Sequence, residues 1–253
     1  MGTVRSFLNF LFLGVWTAFM VVGAVTLSVL KGDPEVFRRA QRNWAEGLVR
    51  FWGVEVRVHG AESVDTTRSY VVMANHLSYV DIVALFLALP IIPGFLAKSE
   101  LTKVPFLSQA LRSGGHVVIE RDQHASAMQT LAKAAEQVRG GKTVLVFPEG
   151  TRGDSDTIGD FKKGGFHLAK SAGVPILPVG VRGSRGVFAR GSLLVHPGVI
   201  EVHIGEAIPE ADVALLEPSE MVMRVRAQIM DLAAMPARAP RSSSRARAPS
   251  TPA

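Results

Sequence analysis

Two short runs hold the residue types that could do chemistry: Asn75-His76-Leu77-Ser78-Tyr79-Val80-Asp81 and, further along, Phe147-Pro148-Glu149-Gly150-Thr151-Arg152. His76 offers a proton acceptor, and Asp81 is near enough in sequence to fix its tautomer. Arg152 presents a planar fork of N–H donors suited to phosphate. Gly150 permits unusual backbone angles or close ligand approach, and Thr151 supplies a hydroxyl. Glu149 stands close enough to Arg152 that the two could equally brace a turn as an ion pair.

The spacing inside the first run constrains its geometry. On an ideal helix a five-residue step turns through about 500°, so His76 and Asp81 would point about 140° apart. They meet only if His76 precedes the helix, and a helix carrying Asp81 in its first turns, capped by Ser78 or Asn75, allows that. Asp81 would then hold one ring nitrogen and leave the other free to take a proton. An oriented histidine joined to an arginine that holds an anion suggests acyl transfer to a phosphorylated alcohol. Ser78 is a poor nucleophile candidate, since the chain has no Gly-x-Ser-x-Gly elbow. The other histidines show no metal spacing such as His-Glu-x-x-His, so metal catalysis is disfavoured. Gly141-Lys142-Thr143 is not a phosphate loop, because the earlier glycine it needs is replaced by Glu136.

The elements that must position these residues alternate. Val54 to Val58, Tyr70 to Ala74, Val117 to Ile119, Thr143 to Phe147, Ile176 to Val181 and Ile200 to Ile204 read as strands. Helical patterns run from Val80 to Leu89, Phe106 to Leu111, His124 to Arg139, Phe166 to Ala172 and Ser219 to Ala233. This order predicts an α/β fold, a mixed sheet flanked by helices on both faces, with N-terminal membrane-binding helices. Both runs then fall just after strands, where open α/β sheets bind ligands.

The 253-residue chain contains no cysteine, which removes disulfides, thiolate metal sites and any cysteinyl acyl-enzyme. Of its net charge of +6, four come from Arg238, Arg241, Arg245 and Arg247 in a Pro- and Ser-rich segment without acids. That segment, 236–253, has no large apolar residue and is expected to be a disordered basic tail, either solvated or attracted to anionic lipid heads. From Phe7 to Leu30 there is no charge, and about 36 Å of helix would fit a hydrocarbon core of about 30 Å. Lys31, Arg38, Arg39 and Arg42 follow it against Arg5 before it, which puts the C-terminal side in the cytoplasm. Glu35 to Trp52 places Phe37, Ala40, Trp44, Leu48 and Phe51 at helical steps, for either the headgroup layer or the domain surface. The expected organisation is 1–52 for the membrane helix and amphipathic helix, 53–235 for the catalytic domain and 236–253 for the tail.

The two runs resemble, without a mismatch, the Asn-His-x-x-x-x-Asp and Phe-Pro-Glu-Gly-Thr-Arg blocks of the glycerolipid acyltransferase family, above all its 1-acyl-glycerol-3-phosphate acyltransferases. Gly115-His116-Val117-Val118-Ile119-Glu120-Arg121 is similar to a third block, with Glu120 where members usually carry Asp. Val174-Pro175-Ile176-Leu177-Pro178-Val179 is similar to a fourth. Lys98-Ser99-Glu100-Leu101 resembles a Lys-x-Glu-Leu segment.

The resemblance covers about 55–205. It implies His76 as a general base with Asp81 as its partner, and Arg152, Arg121 and Lys98 as phosphate ligands. Glu149, Gly150 and Thr151 would shape the acceptor site. It implies no cofactor beyond the acyl donor, acyl-CoA or acyl carrier protein, and no metal. Its partners would be membrane lipids and a lysophospholipid acceptor, with no nucleic acid. The location would be the cell inner membrane, catalytic domain on the cytoplasmic side. The product would be phosphatidic acid. It also implies that the amphipathic helix lies in the headgroup layer. The acidic loop from Gly153 to Asp160 departs from the usual pattern and leaves a lyso-ornithine lipid or another lysophospholipid as a rival acceptor. A non-catalytic lipid-binding adaptor and a lipid hydrolase are the rivals outside this chemistry.

Overall fold

A computed structural model describes residues 2–31, 34–91, 93–98, 116–119 and 127–238. In chain order these form α1 (Gly2–Lys31), α2 (Pro34–Trp52), β1 (Val54–His59), β2 (Val71–Ala74), α3 (Val80–Ala88), β3 (Gly94–Lys98) and β4 (Val117–Ile119). Then follow α4 (Ala127–Arg139), β5 (Val144–Val146), α5 (Gly164–Ala172), β6 (Ile176–Arg182), the single turn α6 (Ser184–Val187), β7 (Gly198–Ile204), α7 (Glu210–Leu215) and α8 (Pro218–Ala233). The strands make one sheet in the order β1-β7-β6-β2-β5-β3-β4. All pairs are parallel except β6 with β7, so the sheet is mixed, as expected.

Strand alternation builds two cores. Val72, Ala74, Leu145, Leu177 and Val179 face α2 and α3, while Val71, Met73, Val144 and Ile176 face α4, α5 and α8. All four residues of β2 are buried, the mark of a central strand covered on both sides. Helix ends follow local chemistry. Gly173 closes α5 in the left-handed region, its N–H on Ala169 and Lys170 carbonyls, and α8 opens on a Glu217–Glu220 capping box with Pro218 behind it. At Gly180 the backbone of α8 approaches so closely that a Cβ would collide with the Ala233 nitrogen.

The expected strands are present, with Phe147 just beyond the end of β5. β3 escaped sequence reading because Gly94-Phe95-Leu96-Ala97-Lys98 has neither β-branched residues nor alternation, and α6 and α7 are too short to show a period. The expected helix from Phe106 to Leu111 lies outside the described residues.

Both ends of the chain are tied to the domain more closely than the sequence implied. Part of the α2 stripe packs on the domain, one of the two placements its pattern allowed, while Phe51 stays 45% exposed. Ala45, Leu48, Val49 and Trp52 are buried in the α3-side core, because the covered sheet face needs a second helix. α1 returns antiparallel along α2. The Trp16 indole donates to the Trp44 carbonyl at 3.0 Å, the Trp44 indole to Thr17 Oγ1 at 3.0 Å, and Phe12 stacks on Phe51 at 3.8 Å. The outward face of α1 stays bare, with Phe7, Val15 and Phe19 each more than half exposed. Among the described residues Ser6–Ala24 is the stretch apolar enough to cross a membrane by length and composition. At the other end, Pro236–Arg238 is not part of a loose tail. The Ile158 N–H donates to the Pro236 carbonyl at 2.9 Å and the Arg238 N–H to the Ile158 carbonyl at 2.8 Å, with Met235 buried beside them. These pairings extend the domain past the expected boundary, and 239–253 lie outside the described residues.

His116 ties α2 to the far side of the sheet. Its Nδ1 accepts the Phe95 N–H at 3.0 Å, so the proton sits on Nε2; the Gln41 amide stands 3.5 Å away, and its otherwise unpartnered oxygen accepts that proton when the amide is turned over. Burial, helped by the Lys142 cation, pushes its pKa down to about 4 from 6.5. The unfolded chain therefore binds this proton more readily. The contribution is whole above pH 6.5 and is lost as the pH falls toward 4, at about 1.4 kcal/mol per pH unit. Replacing His116 with Gln, which keeps an acceptor for Phe95, is expected to flatten the stability profile over that window. Thermal unfolding in detergent at several pH values measures it, and an unchanged slope would discard this assignment.

Candidate active site

The site forms where β2 and β5 end. Past Ala74 the backbone leaves the sheet, and the Asn75 side chain takes over its pairing. Its amide donates to the Val181 carbonyl and accepts the Val181 N–H, both at 2.7 Å. Asn75 is fully buried, so this is a side-chain continuation of the ladder and not the helix cap the sequence allowed. The chain then curls around Asp81. One oxygen, Oδ2, accepts the N–H groups of Leu77 and Ser78 and meets His76 Nδ1, each at 2.8 Å. The helix begins at Val80, its N-cap Tyr79 making no side-chain cap, although Ser78 Oγ accepts the Val80 N–H at 3.3 Å and donates to the Phe188 carbonyl at 2.6 Å. That last bond commits the Ser78 hydroxyl to structure.

His76 therefore sits just before the helix and Asp81 inside its first turn, as the five-residue spacing requires. Asp81 is fully buried and the His76 side chain is 12% exposed. With Nδ1–H held by the carboxylate, Nε2 keeps its lone pair, and it makes no hydrogen bond among the described residues. The ring lies flat on Phe147, centroids 3.9 Å apart, which fixes its remaining rotation.

The second run clamps the first. The His76 N–H donates to Glu149 Oε1 at 2.9 Å, and the Gly153 N–H donates to the His76 carbonyl at 2.7 Å. Glu149 Oε2 accepts the Gly159 N–H at 2.9 Å, so both carboxylate oxygens serve the backbone, and the alternative Glu149–Arg152 ion pair does not form. Glu149 shapes the site from beneath, by holding the histidine turn. Gly150 turns the chain at φ +72°, with the Lys162 side chain lying across it, and Thr151 is exposed. Arg152 is half-buried with its guanidinium over the Tyr79 ring, 3.7 Å from the centroid. That guanidinium has no hydrogen bond or ion pair among the described residues. The Lys98 backbone ends β3, its side chain lies outside the description, and Arg121 lies outside the described residues.

Two of the three acids of the following loop are matched locally, and the third, Asp160, is exposed. Asp156 pairs with Arg185 at 3.2 Å and Asp154 with Arg238 at 3.4 Å, while Arg226 donates to the Ile158 and Gly159 carbonyls. These two pairs offset part of the acidic charge that the loop brings next to Arg152. Next to Tyr79 and Arg152 opens an apolar cavity of about 520 Å³. Its walls include Phe10 and Leu13 of α1, Trp44 and Leu48 of α2, Val83 of α3, and Phe188. Sequence reasoning missed Tyr79, Phe147, Gly159, Phe188 and Lys162. Phe147 and Tyr79 stood inside the motifs as aromatic residues beside chemistry-bearing ones. The others carried no signal of their own.

An imidazole oriented by a carboxylate, a guanidinium without a partner among the described residues and an apolar cavity thus stand together where β2 and β5 end. The Acyltransferase family model matches residues 55–182, half of the chain, and the chain belongs to that family. It is 38% identical over 156 residues to a 1-acyl-sn-glycerol-3-phosphate acyltransferase of Saccharomyces cerevisiae, covering 57% of this chain and half of the yeast protein's length. It is 26% identical over 227 residues to the human 1-acyl-sn-glycerol-3-phosphate acyltransferase alpha, covering 88% of this chain and 80% of the human one. In fold it resembles the crystal structure of the 1-acyl-sn-glycerophosphate acyltransferase PlsC of Thermotoga maritima. The TM-score is 0.78 at 24% identity, over 91% of this chain and 95% of that one.

Asp81→Asn keeps the shape of the turn and removes the charge that holds the tautomer. The expected result is a fall in kcat of about 10³- to 10⁴-fold with both Michaelis constants little changed. Initial rates with both substrates varied provide the check, and a loss of less than about tenfold would take the pair out of the reaction.

Proposed function

We propose that this protein transfers a fatty acyl group from a thioester, acyl-CoA or acyl carrier protein, to the sn-2 hydroxyl of 1-acyl-glycerol 3-phosphate, giving phosphatidic acid. The observation that carries the reading is the clamp between the two motifs. Glu149 and Gly153 hold the His76 backbone from both sides, so the base and the Arg152 anion site are set on one rigid turn. The names of the relatives support the same substrate class.

In this reading His76 Nε2 takes the proton of the sn-2 hydroxyl as its oxygen attacks the thioester carbonyl. The tetrahedral intermediate collapses, the C–S bond breaks, and the leaving thiolate takes the proton back from the imidazolium. Asp81 stabilises that imidazolium without accepting the proton. Arg152 meets the acceptor phosphate, and the cavity beside it takes an acyl chain. No covalent acyl-enzyme is needed.

Membrane attachment follows from α1. Its bare apolar face enters the lipid, but its partner α2 carries Arg39, Arg42, Glu46 and Arg50, which hydrocarbon does not solvate. The pair therefore lies in the interface of one leaflet without crossing it, on the cytoplasmic face of the inner membrane. That position opens the apolar cavity, walled partly by α1, toward the lipid from which the substrates come.

The deciding experiment presents the purified protein with lysophosphatidic acid, lyso-ornithine lipid and no acceptor. Transfer to lysophosphatidic acid is expected. Success on the ornithine lipid alone would overturn the choice of acceptor, and free fatty acid release without acceptor would make the protein a hydrolase. His76→Ala is expected to abolish nearly all transfer while lipid binding persists; intact function would point to an adaptor.

A further inference from the structure

Arg152 has an unusual environment for a cation. It is half-buried, it has no carboxylate or hydrogen-bond acceptor among the described residues, and its guanidinium rests on the Tyr79 ring at 3.7 Å. Glu149, three residues before it, is committed to two backbone N–H groups. The loop acids Asp154 and Asp156 are paired with Arg238 and Arg185. What fixes the direction of the fork is therefore the aromatic face. Stacking occupies the flat side of the guanidinium and leaves the in-plane N–H donors around its edge uncommitted.

Tyr79 is well placed for this and has little other structural work. It caps the start of α3, is 57% exposed, and its hydroxyl makes no hydrogen bond among the described residues. Phe188 lies 6.5 Å from it at a tilt, and both rings with Arg152 line the same end of the apolar cavity. Tyr79 also stands two residues before Asp81, beside the turn that carries His76, yet its side chain takes no part in the bonds that hold that turn.

We propose that Tyr79 is a positioning residue for the acceptor: its ring holds the Arg152 guanidinium edge-on to the anionic head group while the acyl chain enters the adjoining cavity. The inference rests on the reading that Arg152 meets the acceptor phosphate. It predicts a requirement for an aromatic ring and not for the hydroxyl, and an effect on acceptor binding alone.

The test measures steady-state transfer with lysophosphatidic acid and the acyl thioester each varied, for Tyr79→Phe, Tyr79→Leu, Arg152→Ala and the Tyr79→Leu/Arg152→Ala double variant. Tyr79→Phe should keep the acceptor KM. Tyr79→Leu should raise it about tenfold, with kcat and the donor KM unchanged. In the Arg152→Ala background, Tyr79→Leu should add nothing, because the ring then has no cation to hold. If Arg152→Ala raises the acceptor KM and Tyr79→Leu does not, the inference falls and the reading of Arg152 stands. If Arg152→Ala leaves the acceptor KM unchanged, the phosphate reading itself falls. A Tyr79→Leu effect that persists without Arg152, or that appears equally in kcat and the donor KM, would mark a general structural role and overturn the proposal. Should Tyr79→Leu not fold, Tyr79→Gln carries the same test, with the same outcomes deciding.

Discussion

Everything at this site depends on how the chain leaves β2. A parallel strand that stops in the middle of a sheet exposes backbone donors and acceptors that cost free energy if buried unpaired. Here side chains absorb them. Asn75 continues the ladder to Val181, Asp81 gathers the N–H groups of Leu77 and Ser78, and Glu149 takes those of His76 and Gly159. Removing any of the three leaves a buried polar group without its partner, at a cost of about 1–3 kcal/mol each. The same bonds that end the strand also aim the histidine, so stability and chemistry draw on one network.

The surrounding sheet makes that network rigid. β2 lies between β5 and β6 with both faces covered, one by α2 and α3, the other by α4, α5 and α8. The second motif follows β5, the direct neighbour of β2, which is why its glutamate and glycine reach the His76 backbone without a long loop. The loop after Arg152 is fastened in turn. Arg226 caps its carbonyls, and the segment from Met235 to Arg238 pairs with Ile158. The tie from the C-terminal segment through Ile158 and Gly159 to Glu149 thus ends on the His76 N–H.

The N-terminal helices pack as a hairpin against this rigid centre. Two tryptophan indoles cross-bond α1 and α2, and the buried stripe of α2 fixes the pair to the domain. Gly47 makes the approach possible, since a Cβ there would overlap the Trp16 ring. An apolar cavity is left between this hairpin, α3 and the Phe188 segment, open beside the polar end of the site where Arg152 lies.

By itself the sequence determined which residues could do chemistry and most of the elements that carry them. His76, Asp81 and Arg152 were legible because their types and spacing suit a base, its partner and an anion. The central strands were legible because buried parallel strands are runs of Val, Ile and Leu. The five-residue gap even required the break that the structure has before Val80. Only the tertiary structure decided what Asn75, Glu149 and Tyr79 do. Asn75 could cap a helix or pair with a strand, and Glu149 could face Arg152 or the backbone. The winning partners, Val181 and His76, stand 106 and 73 residues away. The side of α2 that is buried, the existence of β3 and the fastening of Arg238 were settled the same way. Local propensity is weak at such positions, and sheet order, which brings distant segments within hydrogen-bond reach, makes the choice.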